Sequence, residues 1–60
     1  ELSRREKEVL AYLSQGLSTS EISQLLFLSI NTIQTYRKRL MEKLEAKNVA
    51  ELVYKGKSLF

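Results

Sequence analysis

Residues 18–44 read STSEISQLLFLSINTIQTYRKRLMEKL and contain two helix-start signals in close succession. Ser18 stands three residues before Glu21, which is the spacing of a capping box, and Ser29 opens a looser version of the same signal. Apolar side chains recur at helical spacing after each signal: Ile22, Leu25 and Leu26, then Ile33, Leu40 and Leu44. Because the first helix is predicted to end near Leu26, the connection is short enough to force a sharp corner, as in a helix-turn-helix. An ordinary helical hairpin within a three- or four-helix bundle has the same spacing and remains an alternative.

The same signals frame one further helix on each side of this unit. Ser3 and Glu6 have the capping-box spacing before the first helix, and Asn48 and Glu51 have it before the last. Apolar stripes follow both pairs: Val9, Leu10 and Leu13, then Val49, Leu52 and Val53. Gly16 falls where the first helix should stop, which is the usual place for a left-handed residue. Leu17 follows it as the apolar contact of that cap. No stretch alternates with period two, so the chain is predicted to be all-α with four helices.

The composition excludes several classes of protein. The chain has 60 residues, which is one small domain, and folding at this length buries only about 60% of the unfolded surface. It contains no Cys, His, Asp, Pro or Trp, so disulfides, thiolate or histidine metal sites and the usual catalytic triads cannot be built. We therefore expect no enzyme activity, no catalytic residue, no metal site, no cofactor and no small-molecule ligand.

The apolar pattern also bears on location. No unbroken apolar run, Leu25–Leu28 included, exceeds five residues, whereas a membrane span needs about 20 residues. No basic segment followed by an apolar one suggests a signal peptide. These features predict no membrane contact and a reducing, cytoplasmic setting. Because the chain opens at Glu1 and not at Met, we expect it to be a fragment or a processed product.

Basic charge is concentrated in the second half of the chain. Residues 1–28 carry a net charge of −1, and residues 29–60 carry +4. On a helical wheel of the third predicted helix, with Ile33 turned inward, Leu40 and Leu44 fall within about 20° of it. The opposite side consists of mainly polar and cationic side chains: Asn31, Thr35, Lys38 and Glu42, with Gln34 and Arg39 on its flanks.

This outward face suits the major groove of duplex DNA. Residues 31–39 contain no acid, and amide, hydroxyl and cationic side chains can read the donors and acceptors of base edges. Flanking cations such as Arg39 and Lys43 can meet phosphates. The alternative is a solvated polar face without a binding role. Exposed helices usually mix Glu with Lys, as residues 6–8 do, and the absence of acids from residues 31–39 argues against this alternative. The pattern favours DNA binding, with a helical protein-interaction module that never touches DNA as the competing hypothesis.

Four motifs give the chain a resemblance to a known family. They are, in order, LS-x-RE-x-EVL at residues 2–10, GLS-x-x-EI at residues 16–22, LS-x-x-TI-x-T at residues 28–35 and KL at residues 43–44. The chain resembles the C-terminal DNA-binding domain of LuxR-type (NarL/FixJ-type) regulators, which occurs in bacterial response regulators and quorum-sensing regulators. The resemblance spans nearly all 60 residues. It implies one domain over residues 1–60, with a helix-turn-helix at about 18–44 and a separate N-terminal regulatory domain.

The resemblance also implies a set of contact residues. Gln34, Thr35 and Lys38 match positions that face bases, and the helical wheel adds Asn31 to them. The positions expected near phosphates are Ser20, Thr32, Tyr36 and Arg37, besides the cations Arg39 and Lys43. The third helix would enter the major groove of double-stranded DNA. RNA polymerase is a further possible partner of such a regulator.

The fourth helix typically supplies a homodimer contact in this family. The side chains expected there are Val49, Leu52, Val53 and Tyr54. Core packing is an equally good explanation for the first three of them, and Tyr54 is the better interface candidate.

Three positions depart from the family pattern. Many members carry Gly at Phe27, most carry Gly at Glu45, and many carry His at Tyr36. A helix end in a left-handed conformation costs a residue with a Cβ about 1 kcal/mol relative to Gly. Either these two corners are built differently in this chain or the chain accepts the strain.

Overall fold

Every predicted helix is present in the computed structural model, which describes residues 2–57. The helices are α1 (Arg4–Ser14), α2 (Thr19–Leu26), α3 (Ile30–Lys43) and α4 (Val49–Gly56). These residues include no strand, so the all-α prediction with four helices is confirmed. Only residues 27–29 separate α2 from α3, which gives the sharp corner expected of a helix-turn-helix.

The helices begin at the capping residues that the sequence indicates. Ser3 and Ser18 each lie in a complete capping box, in which the glutamate three residues on returns the hydrogen bond. Ser29 caps α3 without a glutamate. Asn48 differs from the prediction: its Oδ1 accepts from the N–H of Glu51 at 2.8 Å, but the box is not closed. The Glu51 carboxylate instead lies 3.3 Å from a lysine ammonium one turn further on.

The core follows the predicted stripes and is centred on α3, which packs against the other three helices. Its buried apolar members are Val9, Leu10, Leu13, Ile22, Ile33, Leu40 and Leu52. Leu25 is the exception, because it was expected on the buried stripe of α2 but is 53% exposed. Leu26 and Leu28 pack against the core from that part of the chain instead. Leu44 is half-buried at the end of α3.

The ends of α1 and α3 share one backbone motif. After α1, the N–H groups of Gly16 and the following residue donate to carbonyls of the last turn at 3.0 and 3.2 Å. After α3, Glu45 and the residue after it repeat the pattern at 3.3 and 2.8 Å. This is the Schellman motif, whose first residue past the cap is left-handed. The φ angle is +89° at Gly16 and +55° at Glu45, so the chain accepts strain where most relatives are expected to carry glycine.

The corner between α2 and α3 is strained in the same way. Phe27 ends α2 with φ +56° and ψ +41°, in the left-handed region. Its side chain is 93% exposed, so burial of the ring gives no compensating stability. The two corners at which glycine is expected, Phe27 and Glu45, are therefore both left-handed residues that carry a Cβ.

Relief of the strain at Glu45 should stabilise the domain. We expect Glu45→Gly to raise the free energy of unfolding by about 1 kcal/mol and the melting temperature by about 4–8 °C. Glu42→Gly, at an exposed site inside α3, should lower the free energy of unfolding by about 1 kcal/mol. Thermal melts followed by circular dichroism compare the two variants, and a lower melting temperature for Glu45→Gly would contradict the prediction.

α4 approaches α1 closely at Gly56, which is buried. A Cβ at this position would lie 2.9 Å from Cδ2 of Leu10, closer than real Cβ atoms come to another heavy atom. Leu10 is itself fully buried, so its side chain has little room to move aside. Glycine is therefore required at position 56 because the Leu10 side chain leaves no room for a Cβ, and not because of the backbone conformation.

Candidate nucleic-acid interface

α3 turns the face predicted from the helical wheel toward solvent. Ile33 and Leu40 are fully buried and hold the helix on the core. The opposite side is exposed and carries Asn31, Gln34, Thr35 and Lys38. The predicted orientation of α3 is therefore confirmed, and all four side chains are accessible.

An ion pair fixes the C-terminal part of α3 to α1. Lys43 Nζ lies 2.8 Å from Oε1 of Glu6, a carboxylate that is only 3% exposed. The same oxygen accepts from the N–H of Ser3 at 2.8 Å. The hydrogen bond from Lys43, followed by that from Ser3, lowers the pKa of Glu6 from 4.5 to about 2, although burial alone would raise it. Glu6 is therefore ionised in the folded domain at neutral pH.

This ion pair changes the interpretation of Lys43. The sequence predicts Lys43 to be one of the cations that meet phosphates, and in the structure its ammonium pairs with Glu6 while its side chain stays 42% exposed. The buried carboxylate needs this partner, because an uncompensated charge in the interior is costly. Lys43 therefore helps to pack α3 against α1, and its contact with a phosphate stays a prediction.

A second lysine holds the same end of α3 from the other side. Lys55 of α4 donates from Nζ to the carbonyls of Leu44 and Glu45, at 3.0 and 2.8 Å. These carbonyls follow the last turn of α3, where helix carbonyls lack partners within the helix. A cation there also interacts favourably with the helix dipole. Lys43 and Lys55 thus hold the C-terminal end of α3 against α1 and α4.

The exposed face of α3 offers the chemistry needed to read bases. The amides of Asn31 and Gln34 can each donate and accept, and Lys38 donates only. The Thr35 hydroxyl donates to the backbone carbonyl of Asn31 at 3.0 Å. Its oxygen therefore remains an acceptor, and its methyl group remains an apolar contact.

The residues expected near phosphates differ in accessibility. Ser20, near the start of α2, and Arg39 are exposed, whereas Thr32, Tyr36 and Arg37 are half-buried. The Thr32 hydroxyl lies 2.9 Å from that of the capping serine of α3. Tyr36 packs against the core with part of its ring. Each of the five keeps some exposed surface close to the face of α3 or to the start of α2.

The start of α3 differs in charge from the other helix starts. α1, α2 and α4 each have a glutamate in the first turn, and α3 has no acid there. The partial positive charge of a helix N-terminus is therefore not neutralised by a side chain of its own first turn. An anion approaching this end of α3 meets a favourable field.

Comparison with known families assigns the chain. The GerE family, described as bacterial regulatory proteins of the luxR family, matches residues 1–55. The chain belongs to the luxR family. The assignment agrees with the four sequence motifs and with the exposed face of α3.

The curated relatives of this luxR-family chain are bacterial regulators. The virulence-factor transcription regulator BvgA of Bordetella pertussis is 46% identical over 52 residues, which are 87% of this chain. The DNA-binding transcriptional activator EvgA of Escherichia coli K12 is 41% identical over 51 residues, or 85% of the chain. In both cases the match covers 25% of the relative, so the chain spans about a quarter of their length. No solved structure matches the chain.

The α4 surface of this luxR-family domain corrects one predicted interface residue. Leu52 is fully buried among core side chains, so it is not accessible to a second chain. Val49 and Val53 are half-buried, and Tyr54 is 76% exposed. The surface available on α4 is therefore centred on Tyr54, as the sequence favoured.

Among residues 2–57, no acidic side chains gather into a group that could bind a metal ion. Within the same range, no helix is both long and apolar enough to cross a membrane.

Some residues that position the interface were missed from the sequence. Lys55 and Gly56 act on elements distant in the chain, and no local pattern marks them. Glu6 was recognised only as a capping residue. The exposed isoleucine at the start of α3, Ile30, is marked in the sequence only by its place beside Asn31.

Proposed function

We propose that this domain binds double-stranded DNA in a sequence-specific way and regulates transcription, with α3 in the major groove. The observation that carries the proposal is the exposed face of α3, which has no acid from residue 31 to residue 39 and lies opposite the buried Ile33 and Leu40. The name of EvgA, a DNA-binding transcriptional activator, supports the same function. Since the chain spans about a quarter of its relatives, we propose that it is the output domain of a response regulator in the bacterial cytoplasm, gated by an N-terminal regulatory domain.

The dimensions of the major groove suit this face. The groove of B-DNA is about 12 Å wide and admits an α-helix. Asn31 and Gln34 have the amide groups that pair with adenine, Lys38 suits the acceptors of guanine, and Thr35 can contact either. These four side chains form the proposed base-reading set.

Contacts to phosphates would position α3 in the groove. Arg39 is the exposed cation best placed for this part, and Ser20 would hold the start of α2 against the backbone. Thr32, Tyr36 and Arg37 complete the proposed set through their exposed edges. Such contacts supply affinity and register without reading the sequence.

We propose that the full regulator acts as a homodimer through α4. Tyr54 offers the largest exposed apolar surface on that helix, and Val49 and Val53 of the same helix are half-buried. Two-fold helix-turn-helix proteins bind half-sites about one helical turn apart, so a palindromic site is expected. Contact with RNA polymerase is a further proposal for the whole regulator.

The base-reading set can be tested by truncation. We expect Gln34→Ala and Lys38→Ala each to weaken specific binding by about 1–3 kcal/mol, because each removes a contact to a base edge. The ligand is a duplex selected in vitro from random sequences, and fluorescence anisotropy measures its dissociation constant. If both variants keep the affinity of the original domain, the face of α3 does not read the bases.

Matched variants separate this role from general effects. Gln24→Ala, on the exposed surface of α2, should leave affinity unchanged. Arg39→Ala should weaken all duplexes alike and reduce the salt slope by about 1, since it removes a phosphate contact. Binding that falls log-linearly with salt supports DNA recognition. An absence of affinity for any duplex would instead favour the protein-interaction module.

A further inference from the structure

Exposed apolar side chains are concentrated at the corner of the helix-turn-helix. Four large hydrophobic residues among 2–57 are exposed, and three of them lie within six residues of chain: Leu25, Phe27 and Ile30, at 53%, 93% and 44%. None of the three belongs to the buried core. Burial within this domain therefore accounts for only part of the apolar character of the corner.

Ile30 is the member of this group that belongs to α3, as its first residue. It directly precedes Asn31 and stands one turn before Gln34, so it continues the proposed base-reading face at its N-terminal edge. The N-terminal residues of a recognition helix are the ones that contact base edges. Ile30 thus presents an apolar side chain where polar readers begin.

The major groove contains one kind of apolar group, the 5-methyl group of thymine. We propose that Ile30 is a specificity-determining residue that packs against a thymine methyl group in each half-site. The proposal rests on the proposed function, since it requires α3 to enter the groove. It adds thymine recognition by shape and apolar contact to the hydrogen bonds expected from the neighbouring amides.

Among possible occupants of this surface, duplex DNA is favoured by the surroundings of Ile30. The first turn of α3 has no acid, and no acid occurs until Glu42, so a polyanion can approach Ile30 without repulsion from α3 itself. Continuity with Asn31 and Gln34 places the side chain at the edge of the proposed interface. A protein that bound to this surface would not require the first turn of α3 to lack acidic residues.

Deoxyuridine provides a direct test, because it differs from thymidine only by the absence of the methyl group. The probes are the duplex selected in vitro and a set in which each thymine in turn is replaced by uracil. For the original domain, one replacement per half-site should raise the dissociation constant about fourfold, as expected for losing the burial of one methyl group. For Ile30→Ala, the thymine and uracil duplexes should bind equally at that position.

Two further variants serve as comparisons for Ile30→Ala. Ile30→Val keeps part of the branched side chain and should retain an intermediate penalty, while Leu25→Ala should retain the full fourfold penalty. Thermal melts verify that each variant folds. The assignment is overturned if Ile30→Ala keeps the full uracil penalty, if no replacement affects the original domain, or if the selected half-site has no thymine. If no duplex binds the original domain, the proposed function itself fails, which is a distinct result.

Discussion

Glu6→Gln should lower the free energy of unfolding at pH 7 by about 2 kcal/mol, the typical contribution of a hydrogen bond to a charged group. The glutamine can still accept from the N–H of Ser3, but it loses the charge that binds Lys43, 2.8 Å away. The loss is smaller than for a fully buried pair, because the side chain of Lys43 is 42% exposed to solvent. For a domain of 60 residues this is a large share of the total stability.

The same substitution should remove an acid sensitivity. The pKa of Glu6 is about 2 in the folded domain and 4.5 as the ordinary value. A carboxyl with a lowered pKa contributes its full stability above the unfolded value and loses it as the pH falls toward the folded value. The original domain should therefore lose stability between about pH 4.5 and pH 2, and Glu6→Gln should lose less over that range.

Urea unfolding at pH 7 and pH 3 measures both effects. The control is Glu8→Gln in the same helix, where Glu8 forms a solvent-exposed pair with Arg5 at 3.3 Å. Such pairs contribute about 0–1 kcal/mol, so this variant should stay close to the original domain. Equal stabilities for Glu6→Gln and Glu8→Gln would show that the pair between Glu6 and Lys43 contributes no more to stability than the exposed pair does.

Gly56→Leu should destabilise the domain by about 3 kcal/mol, the upper part of the range for an overpacked core. A Cβ alone would lie 2.9 Å from Leu10 Cδ2, so the added side chain can be accommodated only if α4 moves away from α1. Ala50→Leu adds a similar volume at an exposed position of the same helix and should change stability by less than about 0.5 kcal/mol.

Urea unfolding of the two α4 variants compares these expectations directly. A shift of α4 would also disturb the hydrogen bonds from Lys55 to the end of α3, so Gly56→Leu should weaken DNA binding as well. If Gly56→Leu is as stable as Ala50→Leu, the contact between α1 and α4 is looser than the structure describes.

Local signals in the sequence were sufficient to predict the helices and the direction of α3. Ser3, Ser18, Ser29 and Asn48 mark helix starts because a side-chain oxygen satisfies N–H groups of the adjacent turn, which is a matter of a few residues. The stripe of Ile33 and Leu40 similarly fixed the buried side of α3, and with it the exposed candidate face. The family pattern marks Glu45 and Phe27 as corners that are either built differently or strained, and the structure shows that both are left-handed.

Contacts between distant segments could not be predicted in this way. Glu6 and Lys43 are separated by 37 positions, and their pairing depends on how α1 crosses α3. Gly56 looks like an ordinary helix-ending residue until its distance from Leu10 is known. Leu52 fitted both the core and a dimer contact by spacing alone, and only the packing of α4 assigned it to the core.

The left-handed backbone at Glu45 has a consequence for the lifetime of the regulator in the cell. A difference of about 1–2 kcal/mol in stability changes the abundance of a protein several-fold, because proteases degrade the unfolded fraction. Glu45 lies beyond the end of α3, away from the residues proposed to contact bases. We therefore expect a single glycine there to slow turnover of the domain without altering the residues proposed to contact bases.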